Sequence, residues 1–402
     1  MPPASLVPGM TTDADLPVWA RADAFTAAGP GWGWVDRKGR RFECGSFDQL
    51  AQAIVKDAGA RVDLVWTPAE PGCVLPEEIP ALHPAMREAR IRWALWDIEE
   101  GKRQMLVFGA IFGAMLIWNG FKTGRIMASG TMGLALLLFV ILGFFPWYQG
   151  RKRVKKARRW AAGEMAADAP VLRFETWLSL QKPPVTRLLL ALIALAGVVQ
   201  IIVESRSPMP FGITVAKAGL TKYAGQAADW WRLLTSPFLH GHWLHWLMNA
   251  SALAYLGKRV ETFARWPHLV LSFLMAAWIG GEASARFTQS PSIGASGGLM
   301  GLLGFLLVFE TLHRPLVPES ARRRLLAGVL LTAAIGFVFH RFIDNAAHAG
   351  GLVAGMIYAA LVFPKSSSPH RPRSTTVDVV LGGAALGLLV SSAVLACVKM
   401  FG

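Results

Sequence analysis

Apolar residues in this chain gather into long runs separated by short charged or proline- and glycine-rich stretches, a spacing that excludes half-buried strands over most of its length. The runs lie at about Gln104–Gly120, Ile126–Tyr148, Leu188–Val203, His242–Leu256, Pro267–Ala285, Ser296–Leu312, Leu325–Phe339, Ala346–Phe363 and Val377–Val398. About 20 residues of helix cross a hydrocarbon core, so the pattern predicts nine spans: two N-terminal, six in a core and one C-terminal. The connecting charges alternate. Lys258, Arg259 and Arg265 follow the second core run, Arg314 and Arg322 to Arg324 the fourth, and Lys365, Arg371 and Arg373 the sixth, whereas Arg286 and Arg341 stand alone between them. Basic loops stay on the cytoplasmic side, which predicts an inside N-terminus and an outside C-terminus.

The N-terminal quarter follows a different pattern. Between Gly31 and Pro71, Trp32, Trp34 and Phe42 flank Asp36-Arg37-Lys38-Gly39, a hairpin signal; a helix is expected over Ser46–Ala58 and a further strand over Arg61–Thr67. Met86–Glu99 reads as an amphipathic helix with Ile91, Leu95 and Ile98 on one face. The run Arg151-Lys152-Arg153-Val154-Lys155-Lys156-Ala157-Arg158-Arg159 beside a membrane helix marks the cytoplasmic side and touches anionic lipid; a linker with an interfacial helix around Phe174 and Trp177 follows it. The expected organisation is therefore a cytoplasmic α+β region over 1–103, a transmembrane hairpin over 104–150, a basic linker over 151–185, a core over 186–364, and a linker with a last helix over 365–402.

Composition agrees with a membrane protein: 53% of 402 residues are hydrophobic, and the mean hydropathy is +0.39. The net charge of +15 would suit nucleic acid, but the cations sit between apolar runs and read as topology determinants, so no nucleic-acid partner is expected. Cys44, Cys73 and Cys397 have no paired spacing and imply neither disulfide framework nor zinc module. Met1 to Leu16 lacks the basic and apolar regions of a signal or transit peptide.

Three stretches carry chemistry. In Gly294-Ala295-Ser296-Gly297 a serine flanked by glycines opens a helix, with its hydroxyl exposed and backbone N–H groups free, as an acyl-transfer nucleophile needs; taken alone, the pattern reads more readily as helix packing by small residues. In Asp344-Asn345-Ala346-Ala347-His348, the start of another apolar run, an ionisable histidine is a functional candidate. Gly297 and Gly301 on one run, and Gly351 and Gly355 on the other, would let the two backbones approach and bring Ser296 to His348. Asp344 reads as a polar residue near the membrane surface in preference to an orienter of the imidazole. In His240-Gly241-His242-Trp243-Leu244-His245-Trp246-Leu247-Met248-Asn249, His245 and Asn249 are one helical turn apart and can both donate to one oxyanion. Three histidines in six residues also suggest a metal, but no cysteine or carboxylate accompanies them at ligand spacing, and neither metal nor cofactor is expected. His240, His242, His245, Asn249, Ser296, Asn345 and His348 are the residues available to line a water-filled cavity.

With these residues the chain resembles the rhomboid intramembrane serine proteases. The resemblance rests on Trp231-Arg232, the His240, His245 and Asn249 set, Glu261, Gly294 to Gly297, and Ala347-His348 followed by Gly351 and Gly355, and it covers roughly 186–364. It implies an all-α polytopic protein with a six-helix rhomboid core, two extra N-terminal helices, one extra C-terminal helix and a small α+β region. By it Ser296 is the nucleophile, His348 the general base, and His245, Asn249 and the Ser296 N–H the oxyanion hole, in a dyad that needs no carboxylate. Its first long loop, carrying Trp231 and Arg232, lies partly in the membrane. Met300 departs from the aromatic residue usual there. The implied substrates are transmembrane segments, in a bacterial inner membrane. A non-catalytic relative that binds transmembrane clients would have lost Ser296, His348 or their glycines, and a transporter would show an inverted repeat; this sequence does neither.

Overall fold

The computed structural model describes residues 15–56, 62–70, 72–123, 135–136, 138–159, 162–207, 210–222, 229–340 and 343–402. Most are helical, and they form two compact units whose main bodies are Trp19–Leu180 and Gln181–Gly402.

In the first unit Trp32–Asp36 (β1) pairs antiparallel with Arg41–Cys44 (β2) and Val62–Trp66 (β3), in the order β2-β1-β3. The predicted turn closes β1 on β2 because Asp36 accepts from the Lys38 N–H at 2.8 Å, the Arg40 N–H at 2.9 Å and Arg40 Nε at 2.7 Å, while Gly39 takes a φ of +78°. Phe47–Lys56 (α1) buries Leu50 and Ile54 against Trp34 and Val65; the last two residues of the predicted helix lie outside the described residues. His83–Thr123 (α2) is one continuous helix holding both the predicted amphipathic stretch and the first apolar run. For the second run, 126–148, residues 126–134 and 137 lie outside the described residues; a π-helical stretch, Phe139–Phe144, runs into Phe145–Arg158 (α3). Ala162–Leu180 (α4) departs from the interfacial reading. Phe174 and Trp177 are buried, Phe174 meets Trp19 edge-on at 5.7 Å, and Arg173 forks onto Glu78 at 3.0 and 2.9 Å.

The second unit contains Pro184–Ser205 (α5), Pro210–Ala218 (α6), Trp243–Ala264 (α7), Trp266–Phe287 (α8), Ser296–Leu312 (α9), Glu319–Val338 (α10), Asn345–Val362 (α11) and Thr376–Phe401 (α12). Among the described residues four helices, α5, α8, α11 and α12, are long and apolar enough to cross a membrane, and α9 is a shorter apolar helix. α9 is the centre. It is buried along almost its whole length and packs chiefly on α11, α8 and α7.

Several cations first assigned to loops lie inside helices. α7 continues past Leu256 to Ala264, so Arg259 is fully buried and forks onto Glu310 of α9 at 2.5 and 2.8 Å, with Tyr255 as a further partner at 3.0 Å. Such a pair survives in an apolar core because every charge has its hydrogen bonds. Arg322 to Arg324 likewise lie inside α10, in its first turns. α7 ends where Arg265 takes a φ of +78° and Pro267 opens α8.

Candidate active site

Gly294 fixes the approach to α9. Its φ of +116° favours glycine, its N–H donates to the Ser236 carbonyl at 2.9 Å, and a Cβ there would stand 2.6 Å from His245 Cε1 and 3.3 Å from Asn249 Nδ2. His245 and Asn249 of α7 therefore lie against the backbone two residues before Ser296. Asn249 is buried, and its Nδ2 has no hydrogen-bond partner. Both His240 ring nitrogens also lack partners, and the ring meets that of His245 edge-on with centroids 5.2 Å apart. Gln200 of α5 holds His240 by its backbone, donating to the carbonyl at 2.8 Å and accepting from the N–H at 3.0 Å.

Ser296 opens α9 and His348 lies in the first turn of α11. These helices run side by side in one direction, backbone against backbone: a Cβ on Gly351 would overlap the Gly297 carbonyl oxygen, and one on Gly355 the Gly301 oxygen. α8 joins them through Gly280, where a Cβ would meet the Ala347 oxygen at 2.7 Å and Gly297 Cα at 3.5 Å. The neighbours of Ser296 and His348 thus meet directly, since a Cβ on Gly297 would stand 3.6 Å from the Ala347 oxygen. Both side chains are half-buried and no hydrogen bond joins them. Catalytic hydrogen bonds commonly tighten only when substrate binds.

Asp344 makes no hydrogen bond to the imidazole. Its carboxylate caps α11 through the Ala347 N–H at 3.0 Å, accepts from the Ser284 hydroxyl and stands 3.8 Å from Lys222 Nζ. Lys222 itself donates to Ser284 at 2.7 Å and to Thr288. Burial pushes this ammonium below the ordinary lysine value, partly offset by Asp344. Two residues first counted among the cavity lining are occupied elsewhere: His242 caps α7, its Nδ1 accepting from the Leu244 N–H at 3.1 Å, and Asn345 donates to the Gly336 carbonyl at 2.9 Å.

Sequence reasoning missed Gln200, Lys222 and Gly280. A glutamine inside an apolar run was a signal for the first, whereas Lys222 resembles any loop cation until the fold carries Asp344 to it.

Comparison with known proteins matches residues 227–365, which hold Ser296, His348, His245 and Asn249, to the rhomboid domain family. The chain carries a rhomboid domain. Rhomboid protease GluP of Bacillus subtilis is 35% identical over 141 residues, 35% of this chain and 28% of that protein. The mitochondrial RHOMBOID-like protein 6 of Arabidopsis thaliana is 33% identical over 165 residues, 40% of this chain and 53% of that protein. Inactive rhomboid protein 1 of Rattus norvegicus is 30% identical over 172 residues, 42% of this chain and 20% of that protein. The chain thus spans about half or less of the length of these relatives.

The other motif residues brace the rhomboid domain. Arg232 Nη1 donates to the Ala216 and Gly219 carbonyls, both at 2.9 Å, and its Nε to Asp229 at 2.9 Å, while its guanidinium lies over the Trp231 ring. Arg232 therefore caps the C-terminal end of α6. Glu261 caps α5, accepting from the Val185 N–H at 3.0 Å and from the Thr186 N–H and hydroxyl at 2.7 Å. Met300 is buried one turn below Ser296.

Proposed function

We propose that this rhomboid domain is an intramembrane serine endopeptidase that cleaves transmembrane segments of other proteins with a Ser296–His348 dyad. The observation that carries the reading is the unpartnered, buried Asn249 Nδ2 held against Gly294 beside the opening of α9. A buried amide donor left unpaired is costly unless another state supplies its acceptor.

In the proposed reaction Ser296 Oγ attacks the scissile carbonyl carbon as His348 accepts the hydroxyl proton. The carbonyl oxygen becomes an oxyanion, taken up by Asn249 Nδ2, the His245 ring N–H and the Ser296 backbone N–H. The C–N bond then breaks, His348 returns its proton to the leaving amine, and an acyl-enzyme remains. Water, deprotonated by His348, attacks that ester; the C–Oγ bond breaks, His348 returns the proton to Ser296 Oγ, and the carboxylate leaves. Gly297 and Gly351 serve this chemistry by permitting the close approach that sets the dyad distance.

Of the basic residues read as loop charges, Arg265, Arg314, Lys365, Arg371 and Arg373 remain between the long helices and support a cytoplasmic N-terminus, with the openings to Ser296 and His348 toward the outer face of what this reading takes as a nine-span protein of a bacterial inner membrane. Substrates and lipids of that membrane are the partners this reading implies. The printed name of the rat relative keeps a second reading in view, a non-catalytic protein that binds transmembrane clients.

Labelling with a fluorophosphonate serine probe separates the two. Wild type should label and Ser296→Ala and His348→Ala should not, while Asn249→Ala should slow peptide cleavage about 100- to 1000-fold. Labelling that survives Ser296→Ala sinks the nucleophile assignment, and folded wild type that never labels favours client binding.

A further inference from the structure

Within the N-terminal unit, α2 and α3 enclose an open groove of about 840 Å³. On the α3 side its lining recurs at three- and four-residue steps, one helical face, and changes character along the axis: Phe144, Trp147 and Tyr148, then Arg151, Lys152, Lys155, Arg158 and Arg159. Leu95 and Ile98 of α2 face it near the level of Gly150, where the aromatic band meets the first cations.

Two cations of this helix point elsewhere and are paired, Arg153 with Asp97 at 2.8 Å and Lys156 with Asp168 at 3.1 Å. The five that line the groove have no carboxylate partner among the described residues. Arg151 and Lys152 lie over the Trp147 and Tyr148 rings at 5.1 and 4.5 Å from their centroids, which fixes where the aromatic band gives way to charge. Arg87 donates to the Ala157 and Arg158 carbonyls at 3.1 and 2.9 Å, so the negative end of α3 is neutralised where an anion would approach. At 1.5 Å per residue the change from aromatic to cationic, Trp147 to Lys155, spans about 12 Å. That order, apolar chain, aromatic belt, cations, is the depth profile of one lipid leaflet.

We infer that this groove is a binding site for a single anionic glycerophospholipid, its phosphate among Lys155, Arg158 and Arg159 and an acyl chain running along Tyr148, Trp147 and Phe144. The inference is independent of catalysis. A nucleic acid would use the cations but leave the apolar end empty, and a soluble phosphate would use even less of the groove.

Native mass spectrometry of the detergent-purified full chain, titrated with dioleoyl phosphatidylglycerol or phosphatidylcholine, tests it. One phosphatidylglycerol should be retained in preference to phosphatidylcholine, and Lys155→Glu with Arg158→Glu should weaken retention by more than about 30-fold, since the loss of two juxtamembrane cations alone is worth that much. The milder Lys155→Gln with Arg158→Gln, checked for an unchanged circular dichroism melt, should weaken it in the same direction. Arg153→Gln with Lys156→Gln should change it less than about twofold, because neither lines the groove. The assignment is overturned if phosphatidylcholine binds equally well, if the Arg153 and Lys156 pair matters as much, or if glycerophosphate, dihexanoyl phosphatidylglycerol or a short oligonucleotide competes as effectively as the long-chain lipid. Serine-probe labelling in the same samples separates a failed lipid site from a failed protease reading.

Discussion

The sheet region of the N-terminal unit and the rhomboid domain each bring elements into close contact, and they do it with opposite materials, while α2 packs on α3 and the π-helical stretch before it through Gly101, Gly143 and Gly150, as the domain's helices do. In the sheet region large side chains fill the space: Trp34 stacks on Phe42 with centroids 4.1 Å apart, Leu50, Ile54, Val65, Leu82 and Met86 close around it, and Trp66 lies where Gly33 leaves room. In the domain, α8, α9 and α11 meet through Gly280, Gly297, Gly301, Gly351 and Gly355, backbone to backbone. Water makes the first solution effective, since stability there scales with apolar area removed from solvent. Between helices already surrounded by apolar lipid that drive is missing, and close backbone packing takes its place. The consequence for function is geometric. In the proposed dyad Ser296 and His348 are carried on touching backbones, so the separation of their Cα atoms is held by the glycine contacts.

The strongest way to break this contrast is to give the domain a side chain where it has none. Gly355→Leu should remove serine-probe labelling and destabilise the folded domain by more than about 5 kcal/mol, in the exceptional range for one substitution, because its Cβ overlaps the Gly301 carbonyl, a fixed backbone atom. Gly383→Leu and Gly387→Leu on α12 are the controls. Nothing lies within 4 Å of a Cβ at either, so labelling and the thermal melt should be unchanged. Equal losses at all three positions would show that glycine matters for helix flexibility and not for contact.

The converse change removes a side chain from the unit that depends on one. Trp34→Ala should lower the stability of the N-terminal unit by about 3–5 kcal/mol, the usual cost of emptying an aromatic core site. Hydrogen exchange in peptides covering 32–66 of the intact chain would report it as lost protection. The site around Ser296 contains no residue of that core, so labelling should continue at the wild-type rate; a parallel fall would mean the two regions are not built separately.

The two regions also differ in how far they can be read from residues alone. Asp36-Arg37-Lys38-Gly39 predicts its hairpin because the turn is local: the carboxylate bonds N–H groups two and four residues on. The small-xxx-small spacing around Ser296 and His348 points to a helix pair for a similar reason, since it describes two surfaces each visible within one turn. What stayed hidden is non-local or hangs on a helix end. Arg259 reads as a loop cation until α7 is seen to run on to Ala264, and only then does Glu310 become its partner. Asp344, Lys222 and the Ser284–Thr288 turn that ends α8 lie on three separate segments, and no spacing joins them before the fold does.

The smallest effect we expect sharpens the contrast from the side of water. Burial alone would raise the Asp36 pKa, but the Arg40 and Lys38 hydrogen bonds and the Arg40 charge outweigh it and hold the carboxyl below the ordinary aspartate value. A carboxyl whose pKa is depressed on folding adds stability that is complete above its unfolded value near 3.8 and is lost as pH falls through the lower folded one. Wild type should therefore become more susceptible to pepsin within 30–46 as pH drops from 4 toward 2. Asp36→Asn should be less stable by about 1 kcal/mol at neutral pH, the worth of an ordinary hydrogen bond, and should show a weaker dependence over that interval. An unchanged pH profile in the variant would place the acid-sensitive contact elsewhere in the unit. The same measurement reaches nothing in α9 or α11, whose packing depends on glycine backbones that do not titrate.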